Sequence, residues 1–472
     1  MASKTSYRSI ASTSWRSIFV EGVQIMVPRA DQESVEHSSQ ERKVAIGCGI
    51  GATVETYDFI GYGTAAALYL GAAFFPSHDP LSATLLSFAT LGVGYLARPL
   101  GGLLAGHFGD RIGRKPILVA SLLMMGIATV GIGCLPTYDQ IGIWAPLLLV
   151  ALRVAQGVAF GAEWGGALLM TFEHAPRHRR GLYTGITGVG FPLGIVLANL
   201  SFLFSAHLPG SWPWRLPFLL SSVLIVIGIL IRMKIGESPE FAEVKASGQR
   251  VKNPLRDVVR DDWRILVRAF FMRIAETAGY AVAVTYMLSY IKLGDPPLVS
   301  KSVSLFALTA AAALGIGATL FWARTSDSVG RRPVYLLGAA ITAAWGVPMF
   351  LLINTGVTAL VVVVFVVSYA VCQNSLAGVM GAWFSELLPA KTRAAGISLI
   401  YQSSGVIGGF SPLIATALYS NVGWIGPALM FSTFGLLGLV AAIVTKDTWG
   451  RTQRSGTGDL RERVGKEDNV VV

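Results

Sequence analysis

The sequence predicts an all-α membrane protein of twelve transmembrane helices, arranged as two pseudo-symmetric bundles of six. Its 472 residues are 53% hydrophobic and only 14% charged, and a mean hydropathy of +0.58 is too high for a soluble protein. A charged stretch between two long apolar runs, AGHFGDRIGRKP at 105–116, has a second version, ARTSDSVGRRP, at 323–333. Two such hinges in one chain predict a duplicated membrane domain.

The two hinges match position by position. The acidic, glycine and basic positions of the first recur 217 positions later: Asp110, Gly113 and Arg114 as Asp327, Gly330 and Arg331. A second pair of segments, Glu173 to Arg180 and Glu386 to Arg393, repeats at an offset of 213 positions. Two repeats at nearly one offset support the duplication, and parallel repeats of this kind are typical of membrane transporters.

Apolar runs of the length that crosses a bilayer, roughly 20 residues, occur twelve times. Their approximate ranges are 44–71, 82–108, 116–136, 141–172, 181–207, 213–234, 264–291, 300–324, 333–354, 356–388, 394–420 and 424–445. We predict an N-terminal bundle over 44–235, a cytoplasmic central loop over 236–263 and a C-terminal bundle over 264–445. The polar ends, 1–43 and 446–472, are predicted to be cytoplasmic tails, the first of them disordered.

Basic residues are distributed unevenly over the loops. Lys and Arg crowd the hinges and both termini, whereas only Arg215, Lys292 and Lys301 lie near the opposite side. Because positive loops stay in the cytoplasm, we predict cytoplasmic termini and a multi-pass plasma-membrane protein. The formal net charge of +11 is dispersed over short loops, so nucleic acid is not expected as a partner. A start at Met26 is an alternative for the N-terminal tail.

No catalytic or cofactor motif is present in the sequence. The three cysteines, Cys48, Cys134 and Cys372, fall inside predicted spans without motif spacing, so neither a metal site nor a disulfide framework is expected. There is no nucleotide-binding loop and no nucleophile–base arrangement, and the central loop is too short for a catalytic domain. We therefore predict that the protein is not an enzyme.

The first span carries two carboxylates in GATVETYDFIGYG, at 51–63. Glu55 and Asp58 are three residues apart, so both project from one helix face. Asp58 lies about 21 Å along the helix from Val44, at a depth where a carboxylate needs a partner, water or a proton. We predict a proton-coupling site at Glu55 and Asp58, with Tyr57 between them as a substrate contact. A structural ion pair to a neighbouring helix is the alternative.

Arginines occur inside two other spans of the first half. Arg98 lies in the second span, and Arg153 lies near the centre of the fourth, one helical turn before Gln156. A central arginine either neutralises the carboxylates of the first span or binds an anionic substrate as a bidentate donor. We predict Arg98, Arg153 and Gln156 as substrate-binding residues.

The second half has fewer polar groups inside its spans. The seventh span contains Arg273, Glu276 and Tyr280, and the tenth contains Gln373 and Asn374. We predict all five as substrate contacts. Lone polar groups in spans also serve only to pair helices, which is the alternative for each of them.

The hinge at 106–115 resembles the G-x-x-x-D-R-x-G-R-[RK] loop motif of the major facilitator superfamily. Within that superfamily the chain resembles the metabolite:proton symporters, relatives of the shikimate, alpha-ketoglutarate, citrate and proline/betaine porters. The supporting stretches cover nearly the whole span region: ETYDFIGYG, LARPLGG, RVAQGVAFGAE, WPWRLPF, ESPEF and the E-L-x-P-x-x-x-R segment at 386–393.

The resemblance implies the major facilitator fold, with helices 1, 4, 7 and 10 around a central cavity. It also implies that both hinges act as a conformational gate during alternating access. The gate residues would be Gly106, Asp110, Arg111, Gly113 and Arg114 in the first half, and Asp327, Gly330 and Arg331 in the second. The chain departs from the family at Thr56, where an aromatic residue is commoner, and at Ser328, which replaces a hinge arginine. Its C-terminal tail has no sustained heptad, unlike an osmosensing proline/betaine porter.

We therefore expect a secondary active transporter that couples protons to symport of a small carboxylate or zwitterion. It would work as a monomer among membrane lipids, without a cofactor, and with protons as the coupling ion. The alternative is a drug/proton antiporter of the same superfamily. Such antiporters share a fifth-span pattern ending G-P-x-x-G-G, which GFPLG at 190–194 matches imperfectly.

Overall fold

The computed structural model describes residues 15–20, 23–76, 79–112, 114–234, 254–293 and 297–449. Over these ranges the regular secondary structure is helical apart from one antiparallel β-hairpin. The described helices of the first half are α1 (Arg29–Ala65), α2 (Gly71–Phe74), α3 (Pro80–Leu96), α4 (Arg98–Ile112), α5 (Arg114–Cys134), α6 (Tyr138–Ile141), α7 (Trp144–His174), α8 (Arg180–Gly188), α9 (Gly190–Ser205) and α10 (Trp212–Lys234).

The second half begins with a short helix in the predicted central loop. Its described helices are α11 (Pro254–Asp261), α12 (Trp263–Tyr280), α13 (Met287–Leu293), α14 (Lys301–Val329), α15 (Arg331–Ile353), α16 (Thr358–Val366), α17 (Asn374–Leu387), α18 (Arg393–Val422) and α19 (Ile425–Ile443). Three π-helical segments continue α1, α12 and α16 without a break: Ala66–Leu70, Ala281–Tyr286 and Val367–Gln373.

Nine helices in the described part are long and apolar enough to cross a membrane. The predicted spans near 44–71, 116–136 and 264–291 are not among them. The first and last of these three contain charged residues, including Asp58 and Arg273, which lower their hydropathy. The apolar part of the middle one is short because its first turn carries the charged hinge. All three ranges form helices in the structure, but these helices are too charged, or their apolar part is too short, to be counted. The count over the described residues is therefore nine instead of the predicted twelve.

The described part of the N-terminal segment contains a hairpin and the start of a helix. Where we expect a disordered tail over 1–43, β1 (Trp15–Val20) pairs with β2 (Val23–Pro28), and α1 already begins at Arg29. Aromatic and β-branched residues in β1, and β-branched residues in β2, favour extended strands.

Glycines let the second and fourth spans touch backbone to backbone. A Cβ added at Gly161 of α7 would overlap the carbonyl oxygen of Arg98, at the start of α4. A Cβ added at Gly94 of α3 would lie 2.6 Å from the Nε atom of Arg153. The close approach of these helices therefore seats the Arg153 side chain directly against α3.

The two halves touch along α3 with α18, and along α8 and α9 with α14. At one end of the bundle, Asp327 near the end of α14 contacts Gly181 near the start of α8. We call this the hinge end. At the other end, Lys301 at the start of α14 contacts Tyr69, which follows α1. We call this the opposite end.

Candidate functional site

Buried polar side chains of the first half meet between α1 and α7. Glu55 and Asp58 on α1 are each 2% exposed, and Arg153 and Gln156 on α7 are 0% and 1% exposed. The three-residue spacing within each pair puts both members on one face of the helix. Charged groups this deep in a membrane protein mark functional sites and need named partners.

A series of hydrogen bonds, which we call the Asp58 chain, joins Asp58 to Arg153. The Arg153 Nη1 atom donates to Gln156 Oε1 at 2.9 Å. Gln156 Nε2 donates to the Thr129 hydroxyl at 2.7 Å, and that hydroxyl donates to Asp58 Oδ2 at 3.2 Å. Among the described residues no ion pair joins Asp58 to Arg153. The Asp58 chain of hydrogen bonds therefore connects the two side chains instead of a direct ion pair.

Two arginines lie against the same aromatic side chain. The Arg98 and Arg153 guanidinium carbons are 3.8 and 4.1 Å from the centroid of the Phe59 ring. Arg153 also lies 4.0 Å from the Tyr62 ring, and Arg98 lies 3.9 Å from the Tyr95 ring. Within the described part of the chain, Arg153 Nε and Nη2 and Arg98 Nε have no hydrogen-bond partner. Cation–π contacts hold both cations while leaving donors for an anion.

Tyr57 is placed away from these arginines. Its hydroxyl donates to the Pro217 carbonyl oxygen at 2.7 Å and lies 3.1 Å from the Ser201 hydroxyl, on α10 and α9. Its ring and Asp58 line a cavity of about 10 Å³, together with Gly61, Thr129, Ala198, Phe202, Pro217 and Phe218. A cavity of this size has room for about one water molecule. The structure therefore brings Tyr57 to the far side of α1, not to the predicted substrate contacts.

Three of the substrate contacts predicted in the second half are bonded to other protein groups. Arg273 pairs with Glu276 one turn later on α12, and its guanidinium lies 4.4 Å from the Tyr401 ring. Asn374 Nδ2 donates to the Gly315 carbonyl oxygen at 3.1 Å, which ties α17 to α14. These three predicted contacts therefore already have protein partners.

Tyr280 and Gln373 differ from their neighbours. Gln373 is buried and Tyr280 is partly buried. Among the described residues, neither the buried Tyr280 hydroxyl nor the Gln373 side-chain amide has a hydrogen-bond partner. Gln373 ends the π-helical segment of the tenth span, and Tyr280 immediately precedes that of the seventh. Buried polar atoms without partners are costly, so a ligand group that satisfies them is favoured.

The second hinge forms an ionic cluster at the hinge end. Arg331, 2% exposed, pairs with Asp327 at 2.6 Å and with Glu386 at 3.1 Å. Asp327 accepts two further bonds from backbone N–H groups at the start of α8, at Gly181 and Leu182. The cluster therefore joins α14, α15 and α17 to the first half.

A left-handed turn and the start of the C-terminal tail support this cluster. Gly330, with φ of +107°, makes the turn between α14 and α15 that only glycine adopts freely. Thr448 donates to Glu386, and the Trp449 indole donates to the Asp327 carbonyl oxygen at 2.8 Å. The structure does not describe the side chains of the first hinge, at Gly106, Asp110, Arg111, Gly113 and Arg114.

Sequence reasoning missed Thr129 and the aromatic partners of the arginines. Thr129 lies in a span without ionisable residues, and only its position in the fold puts it beside Asp58. Phe59 directly follows Asp58, so the stretch that carries the carboxylates also carries the aromatic ring that both arginines contact. That adjacency is the one signal that was available in the sequence.

Family models match both halves of the chain. The model for sugar (and other) transporters matches residues 44–263, and that for the major facilitator superfamily matches residues 269–464. The inner membrane metabolite transport protein YhjE of Escherichia coli K12 is 35% identical over 418 residues, which cover 87% of this chain and 95% of that protein. This chain belongs to the major facilitator superfamily.

Two further comparisons agree with this assignment. The shikimate transporter of Escherichia coli K12 is 34% identical over 422 residues, which cover 87% of this chain and 95% of that protein. The solved structure of the proton:xylose symporter XylE, with bound 6-bromo-6-deoxy-D-glucose, has a TM-score of 0.67 at 17% identity, over 88% of this chain and 98% of that one. The predicted fold is confirmed, and the chain is a membrane transport protein, not an enzyme.

Proposed function

We propose that this protein is a proton-coupled symporter that carries a small organic anion or zwitterion across the plasma membrane by alternating access. One relative is named a shikimate transporter and one structural neighbour a proton:xylose symporter, which supports proton-driven uptake of a small metabolite. The basic residues at the hinge end favour a cytoplasmic location for that end and for both termini.

The observation that carries the proposal is the Asp58 chain. Ionised Asp58 accepts the Thr129 hydroxyl, and through Gln156 its negative charge helps to hold Arg153. A proton on Asp58 removes that charge, and the hydroxyl then has the Met125 carbonyl oxygen as its acceptor, at 2.8 Å. Arg153 is left with an uncompensated positive charge, which a substrate carboxylate can neutralise. Proton binding and anion binding therefore favour each other.

Glu55 is proposed as the second member of the proton site. It is buried on the same face of α1 as Asp58, three residues before it. A proton on either carboxylate would lower the negative charge within this buried cluster, and so favour an anion beside its arginines.

The unsatisfied groups define the proposed substrate contacts. Arg98 and Arg153 of the first half bind the carboxylate end, and Gln156 positions Arg153 for it. Tyr280 and Gln373 of the second half accept or donate hydrogen bonds at the other end of the substrate. Contacts from both halves let the bound substrate stabilise a closed intermediate between the inward and outward states.

The hinges are proposed as the cytoplasmic gate, and the working unit as a monomer without a cofactor. Asp327, Gly330 and Arg331 would hold the halves together at the hinge end, and the residues of the first hinge would act in the same way. Opening then requires the bonds between Asp327 and α8 to separate.

Uptake into proteoliposomes tests the proposal. The probes are labelled shikimate and other small carboxylates, then betaine, proline and a cationic dye, each with and without an inward proton gradient. We expect gradient-driven accumulation of one carboxylate or zwitterion by the unaltered protein. Asp58→Asn should abolish that accumulation but retain gradient-free exchange of the same substrate, because it removes only the titratable group.

Asp79→Asn is the matched control for this experiment. Asp79 is an exposed carboxylate whose side chain caps the start of α3, and asparagine caps a helix equally well. Its accumulation should equal that of the unaltered protein. Full accumulation by Asp58→Asn contradicts the proton site. Movement of the dye alone, against the proton flow, identifies an exporter and contradicts symport.

A further inference from the structure

Two lysines of the second half reach the end of α1 at the opposite end of the bundle. Lys292 lies in the last turn of α13, and its Nζ atom donates to the Leu68 carbonyl oxygen at 3.2 Å. Lys301 is the first residue of α14, and its Nζ atom lies 5.0 Å from the centroid of the Tyr69 ring. Two cations from two helices therefore hold two consecutive residues of the other half.

The residues that they hold belong to the π-helical segment Ala66–Leu70. Such segments are rare and are frequently found at functional sites. Tyr69 also stacks on Phe202 of α9, with ring centroids 6.0 Å apart and an angle of 11° between the ring planes. Lys301 therefore contacts a tyrosine that also packs against a second helix of the first half, α9.

The halves remain in contact deeper along the same helices. A Cβ added at Gly63 of α1 would lie 3.3 Å from both the Oγ1 and Cγ2 atoms of Thr285, in the seventh span. Thr285 is buried, and Ser289, one turn further along, is fully buried. The two lysines thus lie at the rim of a contact that continues inward from Tyr69 to Gly63.

We infer that Lys292 and Lys301 form an outer gate, which holds α1 against the second half when the external side is closed. The orientation in this inference, in which the opposite end faces the outside of the cell, rests on the proposed function. When α1 moves away, the two ammonium groups lose Leu68 and Tyr69 and border the entrance. An arriving anion then meets them first, because this end carries few other basic residues.

Cysteine labelling tests the gate without knowledge of the substrate. In the full-length chain, with its three native cysteines replaced by serine, Thr285→Cys reports access from outside to a membrane-impermeant maleimide added to intact cells. We expect the double variant Lys292→Met, Lys301→Met to be labelled about tenfold faster, since it loses a charge-assisted hydrogen bond and a cation–π contact. Ser289→Cys is the alternative reporter if Thr285→Cys does not fold.

Arg215→Met is the matched control. Arg215 is a basic residue at the same end, but its bonds to Ser211 and to the Gly133 carbonyl oxygen stay within the first half. The rate of labelling should be unaffected by this change. An unchanged rate in the double lysine variant overturns the gate. Labelling only from the inside, in inverted vesicles, overturns the orientation, whereas proton coupling is judged separately by the uptake assay.

Discussion

The carboxylate of Asp327 lies on the first turn of α8, where its Oδ1 atom accepts the Gly181 N–H at 2.9 Å. The Leu182 N–H donates to the other carboxylate oxygen at 2.8 Å. A helix start carries partial positive charge and free N–H groups, so it is a favourable place for a carboxylate. One acidic residue of the second half therefore binds the first half through backbone alone.

Asp327→Asn should weaken this contact between the halves. The amide keeps the shape of the carboxylate but loses its charge, which costs about 2 kcal/mol for hydrogen bonds of this kind. We expect the protein to shift towards the state that is open at the hinge end. In inverted vesicles, a cysteine at Thr184, which is buried on α8, should react faster with an impermeant maleimide.

The control for that change is Asp139→Asn. Asp139 is an exposed carboxylate of α6, away from the contact between the halves. Equal labelling of Thr184→Cys in the Asp327→Asn and Asp139→Asn backgrounds would show that Asp327 does not hold the hinge end closed.

Arg331→Gln should destabilise the whole protein. Arg331 is buried between Asp327 and Glu386, and its loss leaves two carboxylates without their cation. Removal of one partner from a buried ion pair costs about 3–5 kcal/mol, so the Tm in detergent should fall. Arg324→Gln removes an exposed arginine of the same helix hairpin and should leave the Tm unchanged. A Tm that is the same for both variants contradicts a stabilising role for the cluster.

Thr129→Val should uncouple transport from protons. Valine keeps the shape of threonine but breaks the Asp58 chain between Asp58 and Gln156. We expect gradient-driven uptake to fall by at least about tenfold, while gradient-free exchange changes much less. Thr129→Ser retains the hydroxyl and should restore most of the coupling. If serine and valine behave alike, packing at this position matters and the hydroxyl does not.

Arg153→Lys should raise the KM for the carboxylate substrate. Lysine keeps the charge but has neither the flat guanidinium that lies on Phe59 and Tyr62 nor the fork of donors that suits a carboxylate. We expect a rise in KM of roughly tenfold or more, measured by initial rates of uptake. Arg215→Lys, at the opposite end, should have little effect on KM. A normal KM for Arg153→Lys would mean that the substrate does not contact this residue.

The sequence is informative about which charged residues lie inside the spans, and uninformative about the hydrogen bonds that neutral groups make to them. Hydropathy and the repeated hinges indicate the fold, and depth alone singles out Asp58 and Arg153. Thr129 could not be predicted as their link, because one hydroxyl in an apolar span is common and usually bonds to its own helix. The partner of Asp327 on α8 is a backbone N–H, which has no signature in the sequence.

The π-helical segments of the first and seventh spans have a bearing on the history of the chain. They begin at Ala66 and Ala281, 215 positions apart, within the range of offsets at which the charged segments repeat. Wide helical turns at matching places indicate that the ancestral half already had one, before the gene doubled. The π-helical segment of α1, which Lys292 and Lys301 contact, is then a feature inherited from the half that was duplicated.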